Sequence, residues 1–359
     1  MRFYAHTMPG VEEIAWLEIR SRWPKAQFVE YQFAKEQNGI VIFDYDGSPD
    51  DLLQLQTAED VYIHALSLPK VSRSRRDLAN IEAEVSRGEA VGRAVNSLMR
   101  YRKYNKPPSY RVISRKYGNH DYRRIDFERA VFSGLMRRYP QWQPLPDGTQ
   151  VEFWANLLGS HMLLGIRISS KKMRHRFNRR VELPAALRPS VAAAMVFLTN
   201  PDPSDVFLDP MCGSGTILMA RRSGNGYQRI LGGDIVPERM EAAKQNLLGK
   251  GKTRLPRSIS VRLWDAKKLP LDSGSIDKVA TNLPFGKQIG SKTAVKRLYP
   301  AVFKELERVV RPNGRLAILS SEYDLVKQAV RQCPNLEIER GYSIAVLGQW
   351  GRLYLMKRT

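Results

Sequence analysis

Asp209-Pro210-Met211-Cys212-Gly213-Ser214-Gly215-Thr216 lies between a predicted strand, 205–208, and a predicted helix that it opens. Gly213 and Gly215 let the backbone turn tightly and approach a ligand with no Cβ in the way. Outward from this loop, strand and helix patterns alternate. A predicted helix at 187–198 precedes the strand. Strands at 230–234, 276–281 and 315–320 are each followed by a helix, at 237–248, 294–310 and 323–332. A further strand lies at 259–263, and 336–346 with 350–356 read as a hairpin-like end. Alternating elements of this kind imply an α/β, doubly wound parallel sheet. In such sheets ligands bind beyond the carboxyl ends of the strands.

Acidic residues stand at those ends. Asp234 closes the strand after the loop, where a carboxylate would accept hydrogen bonds from both hydroxyls of a ribose. Asp265 follows the third strand, placed to accept from an adenine amino group, with the Ala266 amide nearby. Gly-x-Gly-x-x-Gly is absent, which argues against a nicotinamide site. The expected cofactor set is Asp209, Pro210, Cys212, Gly213, Gly215, Thr216, Asp234, Ile235, Asp265, Ala266 and Asn282. Cys212 reads as a small packing residue; with no Pro-Cys dipeptide in the chain, a C5-pyrimidine mechanism is set aside.

Asn282-Leu283-Pro284-Phe285-Gly286 follows the fourth strand. The lone pair of an exocyclic amine is delocalised into its ring, so acceptors aimed at the amine hydrogens favour the tetrahedral nitrogen needed for attack. The Asn282 side-chain oxygen and the Leu283 carbonyl suit that task. Pro284 removes a competing N–H and stiffens the loop, Phe285 offers a stacking face, and Gly286 leaves room. Glycine loop and clamp together imply in-line methyl transfer from S-adenosylmethionine to a nucleobase amine, with positioning and desolvation carrying most of the catalysis. Guanine N2 and adenine N6 both satisfy the clamp.

Charge points to the same class of substrate. The 359-residue chain carries 58 basic and 36 acidic residues, net +22. Residues 1–70 are net −5, residues 71–180 net +15 and residues 181–359 net +12. A basic middle segment of this kind suits a polyanion. The tract 171–180 holds Arg174, Arg176, Arg179 and Arg180, assigned to RNA phosphates together with Lys287 beside the clamp. Two cysteines, Cys212 and Cys333, fit a reducing cytosol and argue against a disulfide framework or a cysteine-based zinc site. No apolar run spans a membrane and no apolar signal core follows Met1. A cytoplasmic protein without metal or membrane is expected. A monomer is expected because no apolar heptad or repeated interface pattern is present.

The first part reads as α+β: a helix at 9–23, a strand at 39–43, a short helix at 49–56 and a strand at 61–66. The second has helices at 75–86 and 89–100, and a strand at 110–115. A helix at 126–139 follows, with Phe127, Ala130, Val131, Leu135 and Met136 on its apolar face, and then a hairpin at 151–168.

Taken together, these motifs resemble the THUMP-domain tRNA guanine-N2 methyltransferases. The loop Asp209–Thr216 is similar to that family's cofactor motif. Asn282–Gly286 with Lys287-Gln288-Ile289-Gly290 and Leu298-Tyr299-Pro300 is similar to its catalytic motif and the helix that follows. Leu187-Arg188-Pro189-Ser190 resembles the helix start that the family places near the methionine end of the cofactor, which adds Ser190 to the cofactor set. The resemblance covers 184–359 most specifically and 67–170 more loosely. It implies four parts: a ferredoxin-like domain at 1–66, a THUMP-like RNA-binding domain at 67–170, a basic linker at 171–183 and a Rossmann-like methyltransferase domain at 184–359. It further implies THUMP binding of the tRNA 3′ end and N2-methylation of an acceptor-stem guanosine near position 6 or 7. The rivals are an adenine-N6 methyltransferase acting on rRNA or DNA, and a non-catalytic RNA-binding protein with a vestigial methyltransferase fold.

Overall fold

A computed structural model describes residues 1–33, 39–184, 186–249, 251–285, 292–346 and 348–359. The chain divides into two compact units, Met1–Arg174 and His175–Thr359.

The first unit is an eight-stranded sheet with helices. Its elements are β1 (Arg2–Thr7), α1 (Glu12–Arg22), β2 (Gln27–Phe33), β3 (Gly39–Asp44), α2 (Pro49–Leu52) and β4 (Asp60–Leu68). There follow α3 (Asp77–Arg87), α4 (Glu89–Arg102), β5 (Ser109–Tyr117), α5 (Arg124–Arg138), β6 (Gln143–Pro144), β7 (Val151–Leu158) and β8 (His161–Arg167). The strands run in the order β2-β3-β1-β4-β8-β7-β5-β6. The expected boundary after residue 66 therefore falls inside a shared sheet: β4 pairs with β1 and also, antiparallel, with β8.

Strand alternation sorts the core. Phe3 and Ala5 of β1 join Val41, Phe43, Val61 and Ile63 against α1, α3, α4 and α5. Tyr4 enters a second cluster with Ile42, Tyr62, Trp154 and Leu163. On α5, Phe127, Val131 and Leu135 are buried as expected, but Met136 is 47% exposed. It lies off the apolar stripe, one residue beyond Leu135.

The second unit is the expected doubly wound sheet. Its elements are α6 (Pro189–Leu198), β9 (Val206–Asp209), α7 (Thr216–Arg222), β10 (Arg229–Asp234), α8 (Pro237–Leu247), β11 (Ile259–Leu263) and β12 (Ile276–Asn282). The chain continues through α9 (Lys292–Val309), β13 (Val310–Ser320), α10 (Tyr323–Arg331), β14 (Leu336–Val346) and β15 (Gln349–Arg358). Sheet order is β11-β10-β9-β12-β13-β15-β14. β9 to β13 run parallel; β15 is antiparallel to β13, and β14 to β15. The order reverses direction at β9, between β10 and β12, so the carboxyl ends of these strands open a crevice at the switch point. Among the described residues no helix is long and apolar enough to cross a membrane.

Candidate active site

A cleft of about 590 Å³ opens at that switch point, a size suited to a small-molecule ligand. Its floor is the loop after β9. Gly213 has φ +51°, a left-handed backbone that glycine adopts without strain, and a Cβ there would meet nothing within 4 Å. Gly215, at φ +81°, does a different job. A Cβ there would stand 3.1 Å from Cβ and 3.2 Å from Cα of Ala243, so Gly215 lets α8 close on the loop.

Neighbouring strands pin this loop. The Cys212 amide donates to the Gly233 carbonyl at 2.8 Å, and the Trp264 indole donates to the Pro210 carbonyl at 3.0 Å. The Gly213 amide donates to Asp234 Oδ2 at 3.0 Å, and the Val236 amide to Asp234 Oδ1 at 3.0 Å. Each Asp234 oxygen keeps a lone pair for a further donor. Burial pushes the Asp209 carboxyl up to about 7, with Asp234 adding to the effect and the Met211 amide opposing it. Burial also raises the Cys212 thiol well above its ordinary range, and the Asp209 and Asp234 charges raise it further. The thiol stays protonated and is no nucleophile.

Most expected cofactor residues line one continuous cleft: Asp209, Pro210, Cys212, Gly213, Thr216, Asp234, Ile235, Asp265, Ala266 and Asn282. Gly215 and Ser190 are not part of its wall. Ser190 is fully buried near the start of α6, and Leu183, Pro184 and Leu187 form that side instead. Ile235 is 59% exposed beside Asp234, an apolar surface facing a cleft that a flat ring would cover. Asp265 accepts from the Lys267 amide at 3.0 Å and pairs with Lys267 Nζ at 3.4 Å.

The clamp borders the same cleft. Asn282, Leu283, Pro284 and Phe285 all line it. The Leu283 amide donates to the Leu319 carbonyl at 2.9 Å, fixing the strand end. Asn282 Oδ1 is buried, with no hydrogen-bond partner among the described residues. A buried acceptor without a donor is costly, so this oxygen fits the hydrogen of an incoming amine. Phe285 is buried as a residue yet contributes to the wall. Gly286 and Lys287 lie outside the described residues.

These residues fit S-adenosylmethionine. Asp234 suits the ribose hydroxyls, Asp265 suits the adenine amine, the exposed Ile235 suits the adenine face, and the orphan Asn282 oxygen lies along the same cleft. Among the described residues no group of three His, Cys, Asp or Glu could hold a metal.

The basic tract is less free than its composition implies. Arg174 pairs with the fully buried Asp60 and lies over the Trp154 ring, 5.9 Å from its centroid. Arg180 donates to the Gly249 carbonyl at 2.9 Å. Arg176 and Arg179 are half-buried, whereas Lys171 and Lys172 are exposed.

One residue absent from the expected set holds the cleft together. Asn246 of α8 accepts at Oδ1 from the Arg180 and Val181 amides (2.8 and 2.9 Å). Its Nδ2 donates to the Val181 and Ser214 carbonyls, both at 2.9 Å. The segment leading into Leu183 and Pro184 is thereby latched to the glycine loop. No local sequence signal marks Asn246, because all four partners are backbone groups far along the chain.

Comparison with known proteins agrees with this geometry. Residues 176–344 match the RMKL-like methyltransferase domain of the UPF0020 family. A Bos taurus protein named tRNA (guanine(6)-N(2))-methyltransferase THUMP3 is 32% identical over 241 residues, 64% of this chain and 47% of that protein. The chain thus spans about half the length of the mammalian relatives it matches. A tRNA (guanine(6)-N2)-methyltransferase from Archaeoglobus fulgidus is 25% identical over 368 residues, 92% of this chain and 86% of that one. The crystal structure of TrmN from Thermus thermophilus superposes with a TM-score of 0.76 at 22% identity, covering 100% of this chain and 99% of that one.

Proposed function

We propose, from its likeness to the RMKL-like methyltransferase domain over residues 176–344 and to tRNA guanine-N2 methyltransferases, that the chain belongs to the THUMP-domain tRNA guanine-N2 methyltransferase family and N2-methylates a guanosine in the acceptor stem of tRNA, near position 6 or 7. The observation that carries the reading is the buried, unpartnered Asn282 oxygen in the same cleft as Asp209, Asp234 and Asp265.

S-adenosylmethionine supplies an electrophilic methyl group carried on a sulfonium. Asp234 receives the ribose hydroxyls, Asp265 the adenine amine, and Ile235 covers one face of the adenine. Asn282 Oδ1 and the Leu283 carbonyl accept the two amine hydrogens and turn the nitrogen lone pair along the line of transfer. Pro284 and Phe285 hold the plane of the base. The nitrogen becomes acidic once methylated and releases its surplus proton to water, so no strong base is needed. Presenting a stem base costs a few kcal/mol of unstacking, offset by phosphate contacts from the basic surface.

Four parts share this work. Residues 1–66 form a ferredoxin-like support, 67–170 a THUMP-like element for the tRNA 3′ end, 171–183 a basic linker and 184–359 the catalytic domain. Arg176, Arg179, Lys287 and the exposed Lys171 and Lys172 are assigned to phosphates. Arg174 and Arg180 mainly hold the chain's own groups. The protein acts as a monomer in the cytosol.

The test is incubation with unmodified tRNA and labelled S-adenosylmethionine, followed by mass spectrometry of the nucleosides and mapping of the modified position. N2-methylguanosine in the acceptor stem is expected; N6-methyladenosine would sink the guanine reading. Asn282→Ala is expected to lower kcat at least a hundredfold while tRNA still binds. Loss of tRNA binding would mean that Asn282 does not hold the amine.

A further inference from the structure

The clamp is held from behind by a hydrogen-bond chain that ends on its own backbone. Tyr299 of α9 is fully buried, and its hydroxyl lies 3.1 Å from the Pro284 carbonyl and 2.7 Å from Ser320 Oγ. Ser320, also fully buried, ends β13, and the Glu322 amide donates to its Oγ at 2.9 Å. An amide N–H only donates, a carbonyl only accepts, and each hydroxyl holds one proton. The direction is therefore fixed: Glu322 N–H to Ser320, Ser320 O–H to Tyr299, Tyr299 O–H to the Pro284 carbonyl. Burial raises the Tyr299 hydroxyl above its ordinary value, which keeps it a donor.

We infer that Tyr299 is a positioning residue for methyl transfer, holding the Pro284 carbonyl so that only Asn282 Oδ1 and the Leu283 carbonyl meet the amine. The inference rests on the reading of Asn282–Phe285 as the amine clamp. A third carbonyl free to rotate into the cleft would compete for the same two hydrogens and turn the nitrogen off the transfer line. Tyr299 prevents this from one side of the turn, and the Leu283 to Leu319 bond fixes the other. Placement of reacting atoms is steeply rate-determining, so one hydroxyl remote from the reacting nitrogen acquires leverage over turnover.

The test is Tyr299→Phe in the full chain. The ring keeps its packing on Phe303, whose centroid is 6.5 Å away, and only the donor is lost. We expect kcat on tRNA to fall about ten- to a hundredfold, with KM for S-adenosylmethionine and Kd for tRNA changed by less than about twofold. Ser320→Ala should give a smaller loss, and the double variant should be no slower than Tyr299→Phe alone, since both act through one carbonyl. An unchanged kcat, or a loss matched by equal losses in cofactor affinity and melting temperature, would overturn the inference and leave Tyr299 a packing residue. The wild-type product separates the two readings. If the wild type makes N6-methyladenosine, the guanine assignment fails while the Tyr299 comparison still decides the inference. A wild type without turnover on any nucleic acid would overturn both.

Discussion

Asp209 holds its proton to about pH 7 because folding strips water from it, against 3.8 for an unburied aspartate. Between those values the folded protein binds more protons than the unfolded chain, so the stability of the ligand-free protein falls as pH rises through that window. Asp209→Asn removes the titration. Calorimetry should find the variant more stable than wild type at pH 8, on the order of 2 to 4 kcal/mol, with the difference gone near pH 4. Its affinity for the cationic cofactor should be weaker. Parallel pH profiles for the two proteins would show that Asp209 is not the group responsible. The two loop glycines separate in the same way. Gly213→Ala meets only left-handed strain, about 1 kcal/mol, whereas Gly215→Ala adds a collision with Ala243 and should cost more, about 2 to 3 kcal/mol by denaturant titration. Residue identity alone made both look like sites of ligand approach; only the packing of α8 tells them apart.

At the scale of elements, what the sequence revealed depended on how each element is buried. Strands β9, β10, β12 and β13 carry short apolar runs ending in polar or acidic residues, so they and the cleft residues at their ends were legible. β1 was not: Phe3, Tyr4, Ala5 and His6 are buried on both sheet faces, which leaves neither alternation nor an apolar run. β2 escaped because a bulge between Phe28 and Glu30 breaks its period. Ser190 was placed at the cofactor by resemblance; it is buried in the first turn of α6 and is not among the residues that line the cleft. Asn246 could not be found, since its partners lie 32 to 66 residues away. Its removal gives an element-level prediction. Asn246→Ala should unlatch the segment before α6 from the glycine loop, raise KM for S-adenosylmethionine about tenfold and lower the melting temperature. A melting shift with an unchanged KM would leave it a structural clip only.

At the scale of the whole molecule, the +22 charge is divided between cations that face water and cations already spent inside. Lys171→Gln with Lys172→Gln should weaken tRNA binding and flatten the slope of log affinity against log salt by about 1 to 2. Arg174→Gln should leave that slope alone. It should instead destabilise the first unit by about 2 to 3 kcal/mol, because the buried Asp60 would keep only the more distant Arg167, at 3.9 Å, and the Ser169 hydroxyl as partners. Titrations at several salt concentrations and denaturant melts distinguish the two outcomes. The shared sheet of the first unit also has a consequence in time. β4 is complete at residue 68, but its second neighbour, β8, is made about ninety residues later. During synthesis β4 waits with one edge bare, and bare edges template wrong pairings. The interval between β4 and β8 is therefore where the nascent chain is most exposed to aggregation and where a chaperone has most to do.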